Sequence, residues 1–251
     1  MAPVQHGVIL KLGATDVIEH SLLIGHDYEP ITLDFLQSNL RPGERAVFAG
    51  VNFGLHLIVG AVAVGARGAV LGVEPQPSAI QAAWQNVELN NVAPQTLLVC
   101  AGLGAEDRLI RVPWSQPVNS GAASFLDSGS GYLVGVSRLE TILSFLEWDS
   151  VRLALLDVQG FELEALKGFG ARIRPEILVV EFDPTFLEKA GVTPSELATR
   201  LDGMGYDLAD LFGRRLDSTS DLPSVAERNV VAFDRRLGVI PRYQGTSGGG
   251  A

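Results

Sequence analysis

The sequence predicts a doubly wound α/β fold, a mostly parallel sheet with helices on both faces, and two patterns predict it. Six short runs rich in Val, Leu and Ile recur along the chain, at 46–50, 69–74, 96–101, 153–158, 177–182 and 230–233. Their apolarity is nearly continuous rather than alternating, which is what strands covered on both faces require. Segments with helical spacing lie between them, and strand alternating with helix is the pattern of βαβ units. Ser78 with Gln81 reads as a capping box, followed by a stripe of Ile80, Ala83, Trp84 and Val87. Leu139, Ile142, Leu143 and Leu146 repeat at i, i+3, i+4 and i+7. Thr193-Pro194-Ser195-Glu196 combines a capping box with proline at the first helical position.

Bulk properties narrow the function. Apolar residues make up 47% of the 251, ample for a core, and the net charge of −10 argues against a nucleic-acid partner. The single cysteine, Cys100, excludes an intramolecular disulfide or thiolate cluster; its apolar surroundings predict a core residue. Four histidines show no ligand spacing, so no metal centre is expected. No signal peptide is recognisable at the N-terminus, and the expected address is cytoplasmic. Residues 46–66 carry no charge over 21 positions, long enough for a bilayer. Gly50, Gly54, Gly60, Gly65, Asn52 and His56 interrupt them, so they read as a buried strand, turn and helix rather than a membrane span. We expect an N-terminal extension (1–42) packed on a main domain (43–240), then a flexible glycine-rich tail (241–251).

The first strand runs into Gly50-Val51-Asn52-Phe53-Gly54 and then an apolar helix at Leu55–Val64. Glycines at such a turn let the backbone approach a ligand at the positive end of the new helix. Glu74 follows 20 residues after Gly54 (74 − 54), at the end of the second strand. An acid there can accept both hydroxyls of a ribose. The dinucleotide turn G-x-G-x-x-G is missing, since Asn52 and Phe53 place side chains where a pyrophosphate would lie. A nucleoside cofactor without phosphates fits better, and S-adenosylmethionine is the common one.

These residues resemble the FkbM-type family of S-adenosylmethionine-dependent methyltransferases. The family opens with D-V-G-A-N-x-G-L, where this chain has Phe48-Ala49-Gly50-Val51-Asn52-Phe53-Gly54-Leu55. Val73-Glu74-Pro75, Asn86-Val87-Glu88-Leu89-Asn90, Asp157-Val158-Gln159-Gly160-Phe161-Glu162 and Val180-Glu181 follow in the family's order, and Tyr28-Glu29-Pro30 resembles the motif often found upstream. The resemblance implies a class I methyltransferase fold with a cofactor turn of Gly50, Asn52 and Gly54. It further implies that Glu74 binds the ribose, that Asp157 faces cofactor or acceptor, that Ser124 lies on a loop near the cleft, and that Glu29 helps close its N-terminal side. One departure stands out: Phe48 replaces the opening aspartate, and Val51 a small alanine. Losing that carboxylate removes a contact of about 1.5–3 kcal/mol, roughly ten- to a hundredfold in affinity. On this reading Phe48→Asp tightens cofactor binding.

Methyl transfer needs a positioned acceptor, and an alcohol acceptor benefits from a base. Asp157 is the first candidate, because ligands bind at the carboxyl ends of such strands. His56, Glu162 and Glu181 are the others. Each has a plainer reading: His56 as a satisfied buried histidine, Glu162 and Glu164 as acids at a helix start, Glu181 as a local pair. Trp114 and Trp148 could wall an acceptor pocket or belong to the core. The implied reaction is O-methylation of a hydroxyl on a small metabolite, sugar or lipid-linked glycan. The alternatives are another nucleoside-cofactor enzyme, such as an oxidoreductase, and a weakened homologue acting as a binding partner. Oligomeric state is left open.

Overall fold

The computed structural model describes residues 2–3, 5–13, 17–113, 131–170, 172–216 and 228–243. Trp114 and Ser124 lie outside them. At the N-terminus β1 (Ala2–Pro3) and β2 (Ile9–Leu10) pair antiparallel, ahead of helices α1 (Val17–Leu23) and α2 (Pro30–Asn39). Then β3 (Arg45–Ala49), α3 (Leu55–Val64), β4 (Ala69–Val73), α4 (Pro77–Leu89) and β5 (Thr96–Val99) alternate as expected. A small second sheet follows, with β6 (Gly102–Leu103) and β7 (Arg108–Pro113) both paired to β8 (Gly131–Ser137). The second half runs α5 (Leu139–Phe145), β9 (Leu153–Leu156), α6 (Glu162–Lys167), β10 (Ile177–Glu181), α7 (Pro184–Lys189), α8 (Pro194–Gly203), β11 (Tyr206–Asp210) and β12 (Asn229–Asp234).

Seven strands form the main sheet in the order β11-β12-β10-β9-β3-β4-β5. Every pairing from β10 to β5 is parallel, and β12 runs antiparallel between β10 and β11. Side chains alternate between the faces. Ala46, Phe48, Val70, Leu155 and Val179 join the core under α2, α3 and α4, whereas Val47, Ala49, Leu71, Ala154 and Leu178 join the core with Leu143, Leu166 and Leu197. Both faces being covered explains why the runs are apolar throughout. The reversal of strand order falls at β3, whose carboxyl end meets the crevice where such sheets bind ligands.

Position 48 does not face that crevice. Phe48 is 1% exposed and points into the core beneath α3. Its ring fills the space left by Gly60, where an added Cβ would lie 2.3 Å from Cζ. The expectation that an aspartate at 48 would tighten cofactor binding is therefore corrected: a carboxylate here would be buried among apolar groups.

Other expectations shift as well. The Thr193–Glu196 capping box forms, with the Glu196 N–H donating to Oγ1 of Thr193 at 3.2 Å and the Thr193 N–H to the Glu196 carboxylate at 2.8 Å. The Ser78–Gln81 box does not, because Pro77 occupies the first turn and starts α4 after Gln76, leaving Ser78 inside the helix. Strand β11 went unpredicted, since Asp207 and Asp210 break its apolar run at the edge of the sheet. Cys100 is exposed, because β5 ends at Val99 before reaching it. Residues 46–66 divide into β3, the turn and α3, and no helix among the described residues is long and apolar enough to cross a membrane. Arg242 exchanges hydrogen bonds with Asn39, and Tyr243 packs on Phe35.

Candidate functional site

Four adjacent strand ends build the site. The Gly50 N–H donates to the Val73 carbonyl at 2.9 Å, and the Asp157 N–H to the Ala49 carbonyl at 3.0 Å. These bonds extend the parallel ladder one residue beyond β3 and β9. Gly50 adopts φ +82°, and a Cβ on it would sit 1.7 Å from the Asp157 carbonyl oxygen, so only glycine fits. Asn52 and Gly54 also take positive φ, at +50° and +100°, and their turn is closed by the Gly54 N–H donating to the Val51 carbonyl at 2.9 Å.

Glu74 points at this turn. Its Oε2 accepts the Asn52 N–H at 3.2 Å and its Oε1 the Gln76 N–H at 3.0 Å. Burial raises its pKa, while the N–H groups of Gln76, Asn52 and Val51 pull it back by favouring the charged form. A carboxylate offers about four lone-pair positions, so acceptor capacity is left for the hydroxyls of a ribose. The cradle at Gly50 and this spare capacity on Glu74 fit an adenosyl cofactor.

The turn is anchored from behind. Buried Asn86 donates through Nδ2 to the Phe53 carbonyl at 2.9 Å, and its Oδ1 accepts the Lys11 N–H at 2.7 Å. Asn90 pairs likewise with the N–H and carbonyl of Ile9, at 2.9 and 2.7 Å. The two asparagines thus hold residues 9–11 against α4 as a neighbouring strand would. Asn86→Ala strands these buried groups, and we expect a loss of about 2–3 kcal/mol, read as a lower urea midpoint. An unchanged midpoint would show that the amide is not structural.

On the other side of Gly50 lies a cluster of ionisable groups. Parallel pairing of Val180 with Leu156 puts the next residues, Glu181 and Asp157, side by side, and their carboxyls are within hydrogen-bonding reach. Burial pushes both above the usual carboxylate range, with repulsion from Glu29 adding to it at Asp157 and repulsion from Asp157 adding to it at Glu181, which is raised further. One oxygen of Glu181 is buried without a partner. His56 Nε2 lies 3.2 Å from Glu29 Oε2, close enough for an ion pair although the N–H is not aimed for a hydrogen bond. Burial alone would lower the His56 pKa, but Glu29 and Asp157 outweigh it and raise it. Burial would raise Glu29, but His56, Tyr28 and Asn229 outweigh it and lower it. Each partner thus favours the charged form of the other.

The upstream motif explains how Glu29 gets there. Pro30 starts α2 and leaves Glu29 as its N-cap at φ +46°, but the side chain makes no cap. It reaches His56 on α3 and accepts from Asn229 of β12 at 3.1 Å. Glu29, Asn52 and Gln159 are non-glycine residues in the left-handed region around one crevice. Each costs of order 1 kcal/mol, and such strain gathers at functional sites.

Several candidates separate from the cluster's chemistry. Glu162 is 1% exposed and accepts the N–H groups of Val158 and Gly160 at 3.1 and 2.9 Å, so it closes the turn that carries Asp157. Burial still pushes it up to about 7. Glu164 pairs with Lys167 on the surface. Trp148 is buried at the opposite end of the sheet, beneath the Arg45 guanidinium, where it lines a cavity away from the crevice. That end holds a cavity of about 500 Å³ lined by Glu44, Arg45, Arg67, Arg152 and Glu176. It lies at the strand starts, where doubly wound sheets do not bind ligands, and Arg152 pairs with Glu176 at 2.5 Å and Glu44 at 3.8 Å. Tyr28 and Asn229 were missed by the sequence reading. Tyr28 stood inside the recognised motif, but Asn229 carries no local signal.

The profile of the methyltransferase FkbM domain matches residues 49–208. Among solved structures, the O-methyltransferase TomG of Streptomyces achromogenes, in complex with S-adenosylmethionine, is similar at 15% identity and TM-score 0.48, over 81% of this chain and 78% of that one. An S-adenosylmethionine-dependent O-methyltransferase of Thermotoga maritima gives 12% and 0.47, over 91% and 73%. An rRNA methylase of Streptococcus thermophilus gives 13% and 0.43, over 80% and 92%. No curated protein sequence matches the chain.

Proposed function

The chain belongs to the FkbM methyltransferase family and is an S-adenosylmethionine-dependent enzyme, and from that premise we propose that it O-methylates a hydroxyl of a small metabolite, sugar or glycan in the cytoplasm. The observation that carries the placement is the meeting of Gly50, Glu74 and Asp157 at adjoining strand ends, with no room for a side chain at Gly50. S-adenosylmethionine supplies a methyl group made electrophilic by its sulfonium. Gly50, Asn52 and Gly54 give the close backbone approach, and Glu74 accepts the ribose hydroxyls. Asp157 takes the proton of the acceptor hydroxyl. His56, paired with Glu29, serves as a positioning residue rather than as the base. We take residues 43–240 as the catalytic domain, with 1–42 packed on it through the bonds at Asn86 and Asn90.

Titration with S-adenosylmethionine tests the reading, with NAD as the control. We expect binding of the first and none of the second; the reverse would make the chain a different nucleoside enzyme. Glu74→Ala is expected to weaken donor binding by about 3 kcal/mol, roughly a hundredfold, because two charge-assisted hydrogen bonds are lost. Glu74→Gln keeps the shape and separates this effect from loosening of the turn. Wild-type affinity in both variants would remove the ribose assignment.

A further inference from the structure

Among the described residues, the floor of the crevice carries more carboxyls than cations to balance them. Asp157 and Glu181 sit side by side at the ends of β9 and β10, and the Asp157 carbonyl lies directly against Gly50. The titratable groups facing the pair come from several neighbouring elements, and β12 sets the uncharged Asn229 opposite Glu181. Glu29 and Tyr28 precede α2, His56 opens α3, Glu74 ends β4, and Glu162 opens α6. His56 is the one group among them able to carry a positive charge, and Glu29 is its partner. Glu162 accepts the N–H groups of its own turn, and Glu74 those of Asn52 and Gln76, so neither carries a positive charge to the pair. Nothing among these groups balances a second charge on Asp157 and Glu181, and one Glu181 oxygen is buried without a partner. Two carboxyls in contact in such surroundings share a proton, since both cannot ionise without compensation.

S-adenosylmethionine carries a positive sulfonium, and the demethylated product does not. We propose that Asp157 and Glu181 together form the counter-charge for the methyl donor, holding one proton between them in the free protein and releasing it to solvent when the donor binds. This rests on the placement of the donor above Gly50 in the preceding section. The balance is simple: one proton leaves the pair and one fixed positive charge arrives beside it. Donor binding thereby also frees Asp157 as a carboxylate, ready to take the acceptor's proton. After transfer the sulfonium charge is gone, the pair takes a proton back, and the product is held less tightly than the donor. The sign with pH follows from linkage: raising the pH empties the pair in the free protein, so donor affinity climbs relative to product affinity and then levels off.

The test is calorimetric titration of the full chain near neutral pH, in two buffers of different ionisation heat, with S-adenosylmethionine and with S-adenosylhomocysteine. The difference in apparent heat between buffers counts the protons exchanged. Both compounds carry the same amino and carboxylate groups, so the sulfonium is the contrast. The donor is expected to release up to about one proton more than the product. Glu181→Gln keeps the shape and can still hydrogen-bond to Asp157, but has no proton to release, and is expected to abolish that difference. Equal proton counts for donor and product in the wild type would overturn the counter-charge, as would a wild-type difference surviving in Glu181→Gln. Failure of both compounds to bind would overturn the donor's placement itself, and this proposal with it.

Discussion

Phe48→Asp should fail to fold stably rather than bind cofactor more tightly. Deleting a buried phenylalanine ring costs about 3–5 kcal/mol on its own. An unpaired carboxylate left in an apolar core adds several more, unless it takes up a proton. The sum approaches the whole stability of an ordinary domain. Phe48 is 1% exposed, and its ring occupies the notch at Gly60. The direct check is thermal unfolding of the purified variant, or its solubility if it cannot be purified. A double-mutant cycle keeps the claim open to test where Phe48→Asp is insoluble. Gly60→Ala should destabilise the wild type, because the new Cβ meets the ring, and should do so much less in a Phe48→Ala background. Additive effects, or a soluble Phe48→Asp with wild-type melting and tighter donor binding, would show that position 48 addresses the cofactor after all.

Gly50→Ala is expected to cost about 3–5 kcal/mol, an effect large enough to be diagnostic. Two causes combine. An alanine at φ +82° is strained, and its methyl would overlap the Asp157 carbonyl oxygen at 1.7 Å. That oxygen belongs to the backbone, which cannot swing aside as a side chain would. At the size of this chain the loss corresponds to a fall in melting temperature of roughly 10 °C. Donor binding should fall too, because any relief moves β3 and β9 apart at the point where turn and acid meet. Gly43→Ala is a useful contrast. Gly43 also has positive φ, at +94°, but a Cβ there meets nothing within 4 Å. Its cost should be limited to the backbone strain, about 1 kcal/mol. Equal losses for the two variants would mean that the contact with Asp157 is not what makes Gly50 necessary.

The architecture was legible because each strand is a locally coherent apolar run and each turn has its own chemistry. Bounds came out within one or two residues for the six predicted strands, and Leu55–Val64 was read to the residue. The glycine turn, Glu74 and Asp157 were legible for the same reason: each ends a strand, and ligands gather where strands end. Orientation and partnership were not. Whether Phe48 faces the crevice or the core depends on how α3 packs over β3, and nothing within five residues of 48 encodes it. Glu181 and Asp157 are neighbours because β10 lies beside β9, and Glu29 meets Asn229 although 200 residues separate them. Periodicity and turn residues act over a few positions, so the sequence alone determined the elements and the carboxyl edge where we place the chemistry. Which charges share that edge was decided by strand order and burial, properties that exist only once the chain has folded.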